Sequence, residues 1–168
     1  MSGCVSRFFD SCLDQLQRTG ECCVNFDINF DQMTYHLVLL SAAYVLALPV
    51  AWNREKGASR SAGLRTFPFV AMASCGYMLV GMSVLTTTGA EARIIYGIIT
   101  GMGFIGGGAI LKGKDGVTGT ATAASLWNTG AIGVAVAFTR FEIAIVLSAL
   151  NYLTLQFIPM IKDEEKDT

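Results

Sequence analysis

Apolar and polar residues fall in long blocks along this chain, without residue-by-residue alternation. Five windows lack Asp, Glu, Lys and Arg altogether: 32–53, 66–90, 94–111, 116–139 and 143–161, of 22, 25, 18, 24 and 19 residues. A helix rises about 1.5 Å per residue, so roughly 20 apolar residues cross a hydrocarbon core about 30 Å thick. Barrel strands are shorter, roughly 9–11 residues, and alternate in character. These windows are continuously apolar and rich in Ala, Gly, Leu and Ile. The pattern predicts an all-α fold, a polytopic transmembrane bundle of about five helices, near 33–52, 67–86, 94–111, 121–138 and 143–161.

Composition sharpens this picture. Apolar residues make up 52% and charged residues only 15% of 168 residues, against a usual charged share of roughly 25%. Five apolar windows in so short a chain leave no polar shell for a water-soluble core. The chain is expected to divide into an extracytoplasmic arm (1–32), a transmembrane domain (33–161) and a short cytoplasmic tail (162–168). No signal peptide is expected at the N-terminus.

Charge placement predicts the orientation. Arg54, Lys56, Arg60, Arg65, Lys112, Lys114, Lys162 and Lys166 fall on one side of the predicted bundle. Only Arg7, Arg18, Arg93 and Arg140 fall on the other. The positive-inside bias then puts the N-terminus outside and the C-terminus in the cytoplasm. On that reading Cys4, Cys12, Cys22 and Cys23 lie on the oxidising side and suit two disulfides, in any of three connectivities. Free or palmitoylated thiols fit the same residues. Phe8, Phe9, Cys12, Leu13 and Leu16 repeat at helical spacing, which suits a helix lying on the membrane surface or a handle for a partner protein. Cys75, in mid-span, reads as a small packing residue.

The third window contains Gly101, Gly103 and Gly106 in a G-x-G-x-x-G pattern. A dinucleotide site needs a preceding strand and a later acidic residue, and this window offers neither. Gly97/Gly101 and Gly103/Gly107 instead form small-xxx-small pairs that let helices approach closely. A run at Gly106, Gly107 and Gly108 also invites a local distortion or break of the helix. In the fourth window Ala123, Gly130 and Ala137 make a small-residue stripe suited to that glycine face. Asn128 is the strongly polar side chain there, either interhelical glue or a functional contact. His36 is the single histidine, and it has no nucleophile or ligand partner at a useful spacing. The sequence thus offers no catalytic set, calls for no cofactor, and leaves metal binding open. Net charge of −1 offers no basic face for nucleic acid.

Three blocks, in order, carry a resemblance. They are Asn53-Arg54-Glu55 with Ser61-Ala62-Gly63-Leu64-Arg65-Thr66, then Gly101 through Ile110, then Gly119 through Trp127. Together with Arg93, eight residues before Gly101, they resemble the MgtC/SapB family over roughly residues 35–160. The resemblance implies a bacterial inner-membrane protein linked to magnesium limitation, acid tolerance and survival inside macrophages. It implies a regulator acting on other membrane proteins, the F-type ATP synthase among them, and no enzyme. Transport of Mg²⁺ or another ion is the alternative that the family suggests. The chain departs from the family pattern at Asn53 and Gly97, where an acid and a Gln are usual, and at Ala90-Glu91-Ala92, where Asp-Pro is common. With only about seven residues after the last window, the chain is expected to lack the ACT-like domain found in many members. The candidate polar residues are Asn53, Arg54, Glu55, Arg65, Thr66, Arg93 and Asn128. The candidate partners are membrane lipid, further copies of the chain and a larger membrane complex.

Overall fold

The computed structural model describes residues 29–56, 63–113 and 116–164. Over these residues the chain forms five helices: α1 (Phe30–Lys56), α2 (Thr66–Val84), α3 (Thr88–Gly108), α4 (Thr120–Ala137) and α5 (Phe141–Glu164). A two-stranded antiparallel hairpin, β1 (Leu111–Gly113) with β2 (Gly116–Thr118), joins α3 to α4 and pairs Leu111 with Thr118. The cysteine-bearing arm and its apolar repeat lie outside the described residues.

Each helix fills one apolar window, but its ends follow local chemistry. α3 begins six residues before the charge-free window because Thr87 caps it, its hydroxyl oxygen accepting from the Ala90 amide at 3.3 Å. Glu91 in the first turn suits the positive end of the helix dipole. The same helix stops at Gly108, three residues short of the expected end. Three successive glycines weaken its last turn, and the Ala109 and Ile110 amides fold back onto Gly106 and Gly107. The glycine run therefore ends the helix and leads into the hairpin; it does not break a span at mid-depth. Pro68 is the third residue of α2, where its missing N–H would have no partner in any case.

α4 is the centre of the bundle and packs against all four other helices. Its buried residues include Thr122, Ser125, Leu126, Thr129, Gly130, Ile132, Gly133 and Val136. The tightest approach is to α2. A Cβ placed on Gly133 would collide with the backbone carbonyl of Ala71 and lie 2.9 Å from the Ser74 Cβ. Gly119 is required for two reasons: its φ is +88°, and an added Cβ would strike the Ala109 carbonyl. α1 offers Leu39, Ala43, Ala47, Val50 and Ala51 to the core, while Leu37, Val38, Tyr44 and Val45 face outward. The outside is therefore as apolar as the inside, as expected of helices solvated by lipid. Phe104 is 87% exposed and Tyr96 72%. By length and composition Phe30–Glu55 and α2 are apolar enough to cross a membrane.

The α4–α5 turn is a Schellman motif. The Arg140 amide bonds to the Ala135 carbonyl and the Thr139 amide to that of Val136, both at 2.9 Å. The left-handed position is Thr139, with φ of 58°, where glycine is usual. A β-branched residue there costs about 1–2 kcal/mol. Replacing it by glycine relieves that cost but loosens the unfolded chain by about 0.4–1 kcal/mol. Thr139→Gly is therefore expected to stabilise the fold by about 0.5–1 kcal/mol, read as a higher melting temperature in detergent. Gly133→Ala is expected to destabilise it by about 1–3 kcal/mol, since α2 has to move. Gly103→Ala, with open space at its Cβ, should leave the same melting curve unchanged or shift it upward.

Candidate functional site

The three sequence blocks meet at one end of the bundle. The last turn of α1, the start of α2, the end of α3 and the start of α4 converge there, with the C-terminal half of α5 beside them. Arg54 donates from its guanidinium to the Thr122 hydroxyl, tying α1 to α4. Asn53 donates to the Gln156 side-chain oxygen at 2.6 Å, tying α1 to α5. Glu55 accepts from the Leu64 amide at 3.1 Å and so holds the approach to α2. Gly63 keeps that contact open, because a Cβ there would run into the Glu55 carboxylate. The third block joins through its glycines. A Cβ added to Gly106 would lie 3.4–3.5 Å from Ala123, and Gly119 lies against Ala109.

The other predicted polar residues sit elsewhere or stay apart. Thr66 opens α2, partly buried, and Arg65 beside it is exposed. Arg93 is exposed near the start of α3, roughly 20 Å from the cluster along that helix. Asn128 lies deeper in the bundle and donates to the Leu147 carbonyl of α5 at 3.3 Å. Of the predicted packing glycines, Gly106 and Gly130 pack inside the chain, Gly130 with an added Cβ about 3.0 Å from the Met102 side chain. Gly97, Gly101, Gly103, Gly107 and Gly108 are exposed and have nothing within 4 Å of such a Cβ; Gly97 and Gly101 border an open groove against α2, and Gly103 and Gly107 one against α4. The small-xxx-small pairs of α3 thus make no helix contact within one chain. The reason is that α3 meets the core mainly through Ile98, Met102 and Gly106, a stripe that lies between the two pairs.

Sequence reasoning missed the residues that complete this polar framework. Asn151 of α5 donates to the Ser125 carbonyl at 3.4 Å, and Ser148 donates to the Leu46 carbonyl of α1 at 2.6 Å. Thr122, Ser125 and Thr129 are spaced three and four apart on α4, and Ser148 and Asn151 three apart on α5. That helical spacing of polar residues in apolar windows was the available signal. Among the described residues, every buried side-chain nitrogen or oxygen has a hydrogen-bond partner. No group of three or more His, Cys, Asp or Glu side chains stands ready to hold a metal ion among them. One guanidinium on a hydroxyl, one carboxylate on a backbone amide and an amide pair form a framework that clamps four helices.

Residues 40–164 match the profile of the MgtC family. The chain belongs to that family. As an MgtC-family protein it is 31% identical to Protein SrpB of Synechococcus elongatus over 136 residues, 73% of this chain and 72% of SrpB. It is 35% identical to "Putative magnesium transporter YhiD" of Escherichia coli K12 over 131 residues, 74% of this chain and 61% of YhiD. It is 34% identical to Protein MgtC of Salmonella typhimurium LT2 over 116 residues, 69% of this chain and 48% of MgtC. The match thus spans about half to three quarters of these relatives. No solved structure matches the chain significantly. The family region takes in the whole Asn53–Arg54–Glu55 cluster and its partners on α4 and α5.

A double-mutant cycle tests the central tie of this MgtC-family cluster. Arg54→Met and Thr122→Val are each expected to lower stability in detergent by about 1–3 kcal/mol. The double variant should lose little more than the worse single one, giving a coupling of about 0.5–3 kcal/mol. Strictly additive losses would show that the two side chains do not depend on each other.

Proposed function

We propose that this protein is a non-enzymatic membrane regulator, which works by packing against other membrane proteins, and that its role is linked to magnesium limitation or to acid and intracellular survival. The observation that carries the packing mechanism is the two exposed glycine pairs of α3, one on each flank of the helix. Gly97/Gly101 and Gly103/Gly107 are exposed, and nothing approaches the space that a Cβ would occupy. Helices in lipid associate through close backbone approach, and such pairs provide it. The linkage to magnesium and acid stress rests on family membership and on the family resemblance. A further copy of this chain and a larger complex such as the F-type ATP synthase are the partners this reading supports. We further propose a bacterial inner-membrane location with the Arg54 end in the cytoplasm, because Arg54, Arg65 and Lys112 all lie at that end.

The name of the YhiD relative favours a second reading, a small transporter for Mg²⁺ or another ion. Mg²⁺ gives up water reluctantly and is usually held by carboxylates with part of its hydration shell. Glu55 is the carboxylate in the cluster, and it already accepts a backbone amide. The absence of any unsatisfied buried polar side-chain atom among the described residues also favours the regulator.

One pair of measurements separates the two. Gly103→Leu and Gly107→Leu are expected to abolish recovery of partner proteins or further copies in mild detergent, while leaving the monomer folded. The purified wild-type protein in proteoliposomes is expected to pass no Mg²⁺. Robust flux that Glu55→Gln reduces would establish the transporter instead.

A further inference from the structure

A groove of about 500 Å³ runs between α3, α4 and α5. Its floor is Gly130 and Ala131 of α4, and its walls include Ile99 of α3 and Leu147 of α5. Trp127 lies at one end and Arg140 at the other. The interior offers an occupant no free polar group. The Trp127 indole N–H donates to the Ile99 carbonyl at 3.2 Å, and Asn128 beside the groove is committed to the Leu147 carbonyl. Whatever fills the groove is hydrocarbon along its length.

The groove's dimensions narrow the choice. From Trp127 to Phe138 is eleven residues of helical rise, about 16 Å. One leaflet of a hydrocarbon core about 30 Å thick is close to that depth. The groove thus runs from the end of α4, where Arg140 stands, to about mid-membrane. Sites of roughly 300–1,000 Å³ with apolar walls and few polar groups are typical of small-ligand binding.

Charge decides the head group. Arg140 is exposed and, among the described residues, makes no side-chain ion pair. Glu142, two residues on, does not line the groove. The Schellman turn with Thr139 at φ of 58° fixes the backbone from which Arg140 projects. A guanidinium binds phosphate by paired N–H donors.

We propose that this groove holds one acyl chain of an anionic phospholipid, drawn from the leaflet on the Arg140 side, with its phosphate on the Arg140 guanidinium. The groove shares Met102 and Trp127 with the surface beside Gly103 and Gly107, but Arg140 does not line that surface, so the head-group test reads the lipid site independently of partner binding. In detergent, added phosphatidylglycerol should bind about fivefold more tightly than phosphatidylcholine of the same acyl chains, the preference that one basic residue at a membrane surface supplies. The readout is native mass spectrometry of the full chain together with the shift in melting temperature. Arg140→Gln should abolish the preference, weakening phosphatidylglycerol more than phosphatidylcholine until the two bind alike. Ala131→Phe, which fills the floor from an exposed position, should lose both lipids. Equal binding of the two lipids by the wild type would overturn the site, as would a preference that survives in Arg140→Gln. If Ala131→Cys cross-links to a second chain with no lipid discrimination, the groove belongs to a partner helix and the proposal fails. Should Ala131→Phe not fold, the Arg140→Gln comparison decides alone.

Discussion

The bundle depends on how closely α4 can approach α2. At Gly133 the α4 backbone lies against the Ala71 carbonyl with no room for a methyl group. In lipid there is little hydrophobic drive to bring helices together, because the tails are as apolar as leucine. Dispersion between closely fitted backbones and interhelical hydrogen bonds have to supply the cohesion. Both need short distances, and Gly133 provides one between two helix backbones. From this contact the rest of α4 is placed where it meets α1, α3 and α5.

Hydrogen bonds then fix the register of the other helices. Ser148 ties α5 to α1, Asn128 and Asn151 tie α5 to α4, and Arg54 ties α1 to α4. Each polar side chain inside an apolar medium needs a partner, so each constrains a pair of helices. The cluster of Asn53, Arg54 and Glu55 is the end point of this framework, where four helices meet. Its chemistry is that of a clamp. The surfaces left for function lie outside it, on the open face of α3 and in the groove below Arg140.

Those two surfaces differ in kind. The two flanks of α3 are glycine-lined and open, a surface of the kind that proposed helix partners would use. The groove is deep and bounded by bulky Ile, Leu and Trp side chains with one cation at its mouth, and suits a flexible chain with an anionic head. The two proposals thus use neighbouring surfaces of different shape.

Much of this was legible in the residues alone. Charge-free windows of helical length determined the fold class, because a bilayer admits few alternatives. The order of the three blocks pointed to the family, and charge placement sorted the two ends of the bundle. The pairings were decided only by the tertiary structure. Nothing in the spacing of Gly133 distinguishes it from Gly103, yet one touches a neighbouring backbone and the other has open space where a side chain would be. The spacing of Thr122 puts it on one face with Ser125 and Thr129, but neither Thr122 nor Gln156 names its partner until α4 and α5 bring them to Arg54 and Asn53. The reason is that these helices are apolar all round. Periodicity, which marks the inner face of a helix in water, is nearly flat when lipid replaces water, so which face turns inward is settled by shape and hydrogen bonding between helices.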